Sequence, residues 1–249
     1  MIKTELNPGE RLDDLLIDNL KLIQNSNYFC FSLDAVLLAN FIKPNSRSRV
    51  LDLGTASGVI PHLVQAKYSL NKVYGIDIQE ELIDMAKRSA TYNKLEDKLE
   101  FKHLDLKNAL SEFGTEYFDY IISNPPYMKM GSGKVNPEDK VAIARHEIKC
   151  NLEDVIKVSS QLVKYRGKVA YVYRTQRLAE LLSLMEKYNL ASKRMRFIHS
   201  NEDSKAKLVL VEAIKGGGVG LKVLPPLIVY NNSGNYTEEI NSIYYTERK

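Results

Sequence analysis

The sequence predicts an α/β fold: a doubly wound, seven-stranded and mostly parallel sheet with helices on both faces and an antiparallel hairpin at one edge. Two observations carry this prediction. From residue 49 onward, strand-like apolar runs alternate with segments of helical spacing, which is typical of a parallel sheet. The last two strand-like runs are separated only by the polar segment 200–206. Because a parallel crossover needs about a dozen residues or more, these two strands are expected to be antiparallel.

Each strand is assigned from a short apolar run. The seven runs lie at 49–54, 72–78, 99–105, 117–123, 167–173, 194–199 and 207–214. Apolar residues spaced by three and four follow the first, second and fifth runs, which predicts helices at 59–67, 80–93 and 176–188. In the second of these helices, for example, Leu82, Ile83 and Ala86 share one face.

The chain divides into a short N-terminal part and a main domain. Residues 1–48 are predicted to be a helical extension packed on the main domain, with one helix at 12–24 and another opening at Ser32, a good N-cap residue. Residues 49–249 are predicted to form the main domain together with a polar C-terminal tail. Within it, the segment 128–150 contains glycines and basic residues, and a loop of this kind beside a site often covers the substrate.

The composition excludes several classes of protein. Cys30 and Cys150 are too few and too far apart for a disulfide framework or a zinc site, and His62, His103 and His199 have no ligand-like spacing. No apolar stretch approaches the roughly 20 residues that span a bilayer, and no signal-peptide pattern opens the chain. We therefore expect a cytoplasmic protein without a membrane segment or a bound metal. The net charge of +4 permits a polyanionic partner without requiring one.

The most informative motif, Asn-Pro-Pro-Tyr at residues 124–127, follows the fourth strand-like run. The Asn124 side-chain oxygen and the Pro125 carbonyl can both accept hydrogen bonds from a planar amino group, and Tyr127 offers a face for stacking. Holding both hydrogens of a conjugated amino group favours a more tetrahedral nitrogen that can attack an electrophile. The motif therefore favours methyl transfer to nitrogen, although a proline-rich turn would explain it if it stood alone.

Acidic residues and a glycine-rich turn follow the first three strands. The segment 52–58, Asp-Leu-Gly-Thr-Ala-Ser-Gly, resembles the first motif of class I S-adenosylmethionine-dependent methyltransferases, except that Ala56 stands where glycine is usual. Asp77 ends the second strand about 20 residues beyond Gly54, where an acidic side chain can hold both ribose hydroxyls. Asp105 ends the third strand, where it is expected to bind the adenine amino group. The predicted cofactor residues are Asp52, Gly54, Thr55, Ala56, Gly58, Asp77, Ile78, Asp105, Leu106 and Asn124.

Two other nucleotide-binding motifs fit the chain less well. A nicotinamide-binding fingerprint needs glycine at the positions held by Ala56 and Val59. A triphosphate-binding loop around residues 131–134 would need glycine at position 128 and serine or threonine at position 135, where the chain has Met128 and Val135.

Four motifs together resemble one family, the tRNA1(Val) (adenine-37-N6)-methyltransferases. They are residues 29–38 (FCFSLDAVLL), 52–58, 124–127 and 144–147 (ARHE), within a resemblance that spans roughly residues 10 to 216. The resemblance implies a Rossmann-like class I methyltransferase that uses S-adenosylmethionine to methylate N6 of adenine 37 in the anticodon loop of a valine tRNA. It implies catalytic roles for Asn124, Pro125 and Tyr127. In the family, Asn124 and Tyr127 would hold the target adenine. Because an RNA-binding enzyme must also neutralise phosphates, the other candidate substrate contacts are Lys129, Lys134, Arg145 and His146.

Several alternatives stay open. Enzymes that methylate a glutamine side chain in protein release factors share the Asn-Pro-Pro-Tyr motif, because an amide resembles an adenine amino group, but they usually carry a longer N-terminal helical domain. DNA adenine methyltransferases share it with a separate target-recognition domain. A non-enzymatic RNA-binding protein would need none of these motifs. Arg145 and His146 also fit an ion pair at a helix start, and Lys193, Arg194 and Arg196 fit either an RNA-binding surface or a solvated edge strand.

Overall fold

A computed structural model describes residues 5–28, 30–126 and 150–244 of the chain. Its strands, in chain order, are β1 (Glu10–Asp14), β2 (Lys21–Asn25), β3 (Arg49–Leu53), β4 (Lys72–Asp77), β5 (Leu99–His103), β6 (Phe118–Ser123), β7 (Val163–Arg174), β8 (Leu190–His199), β9 (Ala206–Lys215), β10 (Lys222–Val223) and β11 (Leu227–Ile228). Its α-helices are α1 (Leu33–Phe41), α2 (Val59–Tyr68), α3 (Glu80–Tyr92), α4 (Ala109–Phe113), α5 (Leu152–Leu162), α6 (Leu178–Lys187) and α7 (Glu238–Tyr244). Short 3₁₀ helices, Leu106–Asn108 and Thr175–Arg177, precede α4 and α6.

Nine of these strands form one mixed sheet. Their order is β5-β4-β3-β6-β7-β9-β8, with β10 and β11 both pairing along β8. Strands β3 to β7 are parallel, and β9 lies antiparallel between β7 and β8. The seven predicted strands and the antiparallel β8–β9 pair are therefore confirmed. The sheet has nine strands rather than seven in the described residues, because two-residue strands are too short to show an alternating pattern.

Helices cover both faces of this sheet, as the sequence predicts. Side chains on one face of β3 and β6, such as Val50 and Ile122, pack with α1, α2, α3 and α7. Side chains on the other face, such as Leu51 and Ile121, pack with α4, α5 and α6. Because both faces are buried, neither face leaves room for a ligand. The residues free to form a site are those in the loops at the carboxyl ends of the parallel strands.

The N-terminal segment differs from its prediction. The sequence predicts a helix at 12–24, whereas the structure has the antiparallel pair β1–β2. The turn between these strands places Leu16, Asp18 and Asn19 at positive φ, and the Asp14 carboxylate accepts the backbone amide of Leu16 at 2.8 Å. Aspartate and asparagine favour such turns, and this turn chemistry outweighs the helical spacing of the apolar residues. The predicted helix is therefore wrong.

The other predicted helices are confirmed in position, and three helices, α4, α5 and α7, are additional. α1 begins directly after Ser32, although the Ser32 side chain makes no capping hydrogen bond. α5 has no counterpart among the sequence predictions. It begins with a capping box in which the Asp154 amide donates to the Asn151 side chain at 2.9 Å and the Asn151 amide donates to the Asp154 carboxylate at 3.2 Å. In the described ranges, no helix is long and apolar enough to cross a membrane.

Candidate functional site

A cleft of about 1050 Å³, its open mouth included, lies at the carboxyl ends of β5, β4, β3 and β6. The loops after these four strands line it, together with residues at the starts of α1 and α5. Its lining residues are Phe31, Ser32, Ala35, Leu53, Gly54, Thr55, Ala56, Ser57, Val59, Ile60, Ile76, Asp77, Ile78, Gln79, Leu104, Asp105, Leu106, Ser123, Asn124, Pro125, Pro126, Cys150 and Val155. Eight of the ten predicted cofactor residues are among them.

The glycine-rich loop after β3 is held against β4 by backbone hydrogen bonds. The amides of Gly54 and Thr55 both donate to the Ile76 carbonyl, at 3.0 and 2.9 Å, and the Gly58 amide donates to the Thr55 carbonyl at 2.9 Å. Gly54 and Gly58 have φ angles of 74° and 84°, which glycine adopts without steric cost. This tight turn places the N-terminus of α2 beside the cleft. The partial positive charge at a helix N-terminus favours a ligand carboxylate there.

Ala56 keeps the backbone conformation that glycine usually supplies in this motif. Its φ is 49°, a left-handed conformation that costs about 1–2 kcal/mol for a residue with a side chain. The Ala56 methyl packs against the small apolar cluster of Ile23, Leu82 and Met85, and this contact offsets part of the cost. Alanine therefore preserves the shape of the loop.

Asp77, at the end of β4, connects two loops of the cleft. Its Oδ2 accepts the Ala56 amide and its Oδ1 accepts the Gln79 amide, both at 2.9 Å. Burial raises the pKa of Asp77, and these amide hydrogen bonds oppose the rise. Each carboxylate oxygen keeps a second lone pair that can accept a hydroxyl hydrogen. This arrangement suits the ribose-binding role that the sequence predicts.

Asp105 lies at the start of the 3₁₀ helix that follows β5. Its Oδ1 accepts the Lys107 amide at 2.9 Å, which fixes the carboxylate beside the cleft. The apolar side chains of Ile78 and Leu106 line the same cleft. Two apolar surfaces and one acceptor are the groups that a flat base with an amino substituent requires.

Asn124 and Pro125 line the cleft directly after β6. The preceding residue, Ser123, is buried, and its hydroxyl donates to the Leu53 carbonyl at 2.7 Å. This bond ties the end of β6 to the end of β3 and so places the half-buried Asn124 beside the glycine-rich loop. The predicted amino-group acceptors thus lie in one cleft with the predicted cofactor residues, while their catalytic role stays a prediction.

Two predicted cofactor residues lie behind the cleft rather than in it. Asp52 is fully buried in β3, and in the described part of the chain neither of its carboxylate oxygens has a hydrogen-bond partner. Burial raises the pKa of Asp52 to about 7. Gly58 is needed for packing, because a Cβ at this position would lie 2.7 Å from Cζ of Phe101. Neither residue is therefore among those that line the cleft, and direct cofactor contact by Asp52 and Gly58 stays a prediction.

The polar atoms of the cleft fit S-adenosylmethionine. Gln79 lines the cleft, and its Oε1 is buried without a hydrogen-bond partner among the described residues. Because an unpaired buried polar atom costs about 1–3 kcal/mol, a ligand with hydroxyl or amino donors is favoured there. The carboxylates of Asp77 and Asp105, which line the cleft, suit a cationic ligand such as a sulfonium. Across the described residues, no group of three or more His, Cys, Asp or Glu side chains could hold a metal ion.

The four strands that carry the cleft lie within residues 20–197, and this range matches the sequence model of the family described as the methyltransferase small domain. The chain belongs to the methyltransferase small domain family. This membership confirms the enzyme class that the sequence predicts, a Rossmann-like class I methyltransferase.

Two relatives of this methyltransferase share one name, which specifies a tRNA substrate. A protein of Porphyromonas gingivalis ATCC 33277 named tRNA1(Val) (adenine(37)-N6)-methyltransferase is 29% identical over 164 residues, which are 65% of this chain and 64% of that protein. A protein of Pedobacter heparinus with the same name is 25% identical over 170 residues, 68% of this chain and 70% of that protein. The match to the first relative thus spans slightly less than two thirds of its length. These names agree with the family resemblance that the motifs predict.

Solved structures share the fold of this methyltransferase. The crystal structure of a predicted O-methyltransferase from Agrobacterium tumefaciens has a TM-score of 0.69 at 24% identity and covers 85% of this chain and 95% of that chain. Geranyl diphosphate C-methyltransferase from Streptomyces coelicolor A3(2), in complex with Mg²⁺, geranyl diphosphate and S-adenosyl-L-homocysteine, has a TM-score of 0.52 at 12% identity and covers 74% and 80%. At these identities the likeness shows the fold alone. Family membership and the fit of the cleft support S-adenosylmethionine as the cofactor, as the sequence predicts.

The predicted substrate residues after Pro126 lie outside the described residues. They are Tyr127, Lys129, Lys134, Arg145 and His146, and nearly all of the predicted loop 128–150 lies there with them. Their roles therefore stay predictions.

Three basic side chains of β8 have partners within the protein. Arg194 donates to the Glu212 carboxylate at 3.1 Å and to the Phe41 carbonyl at 2.6 Å, and its guanidinium lies 4.2 Å from the Phe41 ring centroid. Arg196 forms hydrogen bonds of 2.6 and 2.8 Å with a glutamate of α7, and Lys193 donates to a backbone carbonyl of the C-terminal segment. These bonds join β8 to α1 and to the C-terminal segment. Because β8 pairs with β9 on one side and with β10 and β11 on the other, it is not a solvated edge strand, and its part in an RNA-binding surface stays a prediction.

The residues that line the cleft from α1 and α5 have no site role among the sequence predictions. These residues are Phe31, Ser32, Ala35, Cys150 and Val155. The capping box at Asn151 is the sequence signal that could have placed α5 beside the cleft. Burial raises the pKa of Cys150 to about 12, so its thiol stays protonated and is not a nucleophile.

Proposed function

We propose that this methyltransferase transfers a methyl group from S-adenosylmethionine to N6 of adenine 37 in a valine tRNA. The observation that carries the proposal is the position of Asn124 and Pro125 in the same cleft as Asp77 and Asp105. Two acceptors after β6 suit a planar amino group, and the carboxylates suit the ribose and adenine of the cofactor. The names of the relatives support adenine 37 of tRNA1(Val) as the target. A tRNA substrate also implies a cytoplasmic enzyme.

The side chains after β6 act on the amino group of the target. Bound S-adenosylmethionine supplies an electrophilic sulfonium methyl. The Asn124 side-chain oxygen and the Pro125 carbonyl accept the two amino hydrogens, so that the nitrogen lone pair is directed away from the ring and toward the methyl. As positive charge develops on nitrogen, these fixed acceptors stabilise it more than they stabilise the neutral amine. The product nitrogen is acidic enough to lose its proton to water, so no dedicated base is needed.

The remaining substrate contacts are proposed for the segment after Pro126. An adenine that leaves the anticodon-loop stack loses stacking energy, and Tyr127 recovers roughly 1–3 kcal/mol by stacking on it. Lys129, Lys134, Arg145 and His146 are proposed to contact the RNA backbone.

The test of this proposal uses purified enzyme, radioactive S-adenosylmethionine and transcripts of a valine tRNA with adenine or guanine at position 37. We expect label only in the adenine transcript, and N6-methyladenosine in its nucleosides by mass spectrometry. A release factor and an adenine-containing DNA duplex serve as competing substrates in parallel reactions. Label in the release factor with none in either tRNA would show that the substrate is a protein rather than RNA. Label in the DNA alone would show that the substrate is DNA.

A further inference from the structure

A buried glutamine joins the N-terminal hairpin to two segments that line the cleft. Gln24, on β2, is only 1% exposed. Its Nε2 donates to the Ser57 hydroxyl, and its Oε1 accepts the backbone amide of Phe31 at 3.1 Å. Ser57 belongs to the glycine-rich loop, whereas Phe31 precedes α1, and both residues line the cleft. A single amide side chain therefore connects two segments that line the cleft, the glycine-rich loop and the residues before α1.

The strand that carries Gln24 is itself fixed on α3. The Ile23 amide donates to the Ser89 hydroxyl at 2.9 Å. The Lys21 amide donates to the Asn93 side chain at 3.0 Å, and the Asn93 side chain donates back to the Lys21 carbonyl at 2.7 Å. Asp77 is the last residue of β4, and α3 begins three residues after it. The helix that holds β2 in position is therefore adjacent to the predicted cofactor site.

The loop that Gln24 contacts depends on such support. Ser57 directly follows Ala56, which has a φ of 49°. A residue with a side chain keeps such a left-handed conformation only where surrounding contacts determine it. The hydroxyl of Ser57 is buried, and Gln24 is its hydrogen-bond partner on the hairpin.

We propose that Gln24 is a positioning residue for S-adenosylmethionine, and that it holds the glycine-rich loop and Phe31 at the separation that the cofactor requires. Gln24 acts through Ser57 and Phe31 and does not touch the reacting atoms. This role rests on the proposed function, because it needs S-adenosylmethionine to occupy the cleft. Loss of Gln24 removes preorganisation, so it weakens cofactor binding more than it slows the chemical step at saturating cofactor.

The test compares four variants by calorimetric titration with S-adenosylmethionine: Gln24→Ala, Ser57→Ala, the double variant, and Gln65→Ala as the matched control. Gln65 is a buried glutamine of α2 that does not line the cleft. We expect Kd to rise about tenfold in Gln24→Ala, as is typical for loss of a buried hydrogen bond, and to stay within about twofold in Gln65→Ala. Because Gln24 and Ser57 act as a pair, the double variant should bind no more weakly than Gln24→Ala. At saturating cofactor, kcat of Gln24→Ala should stay within about threefold of the wild type.

The outcomes separate a positioning role from a structural one. An unchanged Kd in folded Gln24→Ala, even with a lower Tm, would overturn the positioning role, because Gln24 would then support only the fold. If Gln24→Ala does not fold, Ser57→Ala decides, since it removes one hydroxyl: a raised Kd supports the role and an unchanged Kd overturns it. Failure of the wild type to bind S-adenosylmethionine would overturn the proposed function and this role together, whereas normal wild-type binding with unaffected variants overturns this role alone.

Discussion

At the scale of single residues, Asn124 is the side chain whose loss separates chemistry from cofactor binding. Its oxygen is proposed to stabilise charge that develops only in the transition state, so Asn124→Ala should lower kcat about a hundredfold or more. The Kd of S-adenosylmethionine should change little, because most of the cleft residues come from the loops after β3, β4 and β5. Single-turnover rates and calorimetry measure the two effects. Asn108→Ala, at an exposed position outside the cleft, is the control, and near-normal turnover of Asn124→Ala would refute the assigned role.

Asp52 makes the stability of the cofactor-free protein depend on pH. Burial raises its pKa from 3.8 to about 7 in the folded state. Its contribution to stability is therefore fully present below about pH 4 and is lost as the pH rises through 7, since the folded protein must then bury a charge. The loss is on the order of 4 kcal/mol at most. Asp52→Asn should accordingly stabilise the protein at pH 8 by more than at pH 5, as measured by urea unfolding at both values.

The control for this pH effect is Asp97→Asn, which removes one negative charge from an exposed position. Its free energy of unfolding should differ from that of the wild type by a similar small amount at both pH values. If Asp52→Asn behaved in the same way, the buried carboxylate would not be the source of the pH dependence.

At the scale of secondary-structure elements, the turn between β3 and α2 contains two glycines with different constraints. Gly54 and Gly58 both have positive φ, but only at Gly58 would a Cβ meet another side chain, 2.7 Å from Phe101. Gly54→Ala should cost about 1–2 kcal/mol of unfolding free energy through backbone strain alone. Gly58→Ala should cost about 1–3 kcal/mol more through overpacking. Urea unfolding without cofactor measures both values, and equal losses would contradict the steric argument.

The same elements show what the sequence can predict and why. The buried strands β3, β4 and β6 are recognisable because each is a short apolar run that ends at a glycine or a polar residue, and the site residues at their ends are local in sequence. The β1–β2 hairpin is mispredicted because its apolar spacing also fits a helix, so that the decision rests on the turn around Asp18. β10 and β11 have only two residues each and leave no periodic signal.

The part of the site that sequence reasoning missed depends on packing between distant segments. Phe31 and Val155 reach the cleft because α1 and α5 pack on opposite faces of the sheet, which no local pattern reports. Gln24 lies in a segment with no chemical motif, and only its burial and its bond to Ser57 connect it to the cleft. Asp52 and Gly58 are the opposite case: the motif includes them, but in the structure they do not line the cleft.

At the scale of the whole molecule, the net charge is +4, but some of the basic side chains that contribute to it are already paired within the protein. Arg194 and Arg196 are held in internal ion pairs with Glu212 and Glu239. Surface charge that is already paired contributes less to counterion release than charge that meets a phosphate. The basic residues proposed to contact RNA are therefore those between Pro126 and Cys150, two residues that line the cleft.

The assignment of RNA contacts to these basic residues predicts how tRNA binding responds to salt. If Lys134 and Arg145 contact phosphates of the unpaired anticodon loop, replacing both with alanine should weaken tRNA binding and reduce the slope of log K against log salt by about 0.7 for each lost contact. The matched control is Arg47→Ala with Lys98→Ala, which removes the same charge from two exposed positions. Arg47 lies just before β3 and Lys98 just before β5, so both lie at the edge of the sheet opposite the cleft. Binding of fluorescent tRNA at several salt concentrations measures the slopes, while S-adenosylmethionine affinity should be unchanged in both double variants. An equal reduction of the slope in the two double variants would mean that tRNA binding depends on the net charge alone and not on Lys134 and Arg145 in particular.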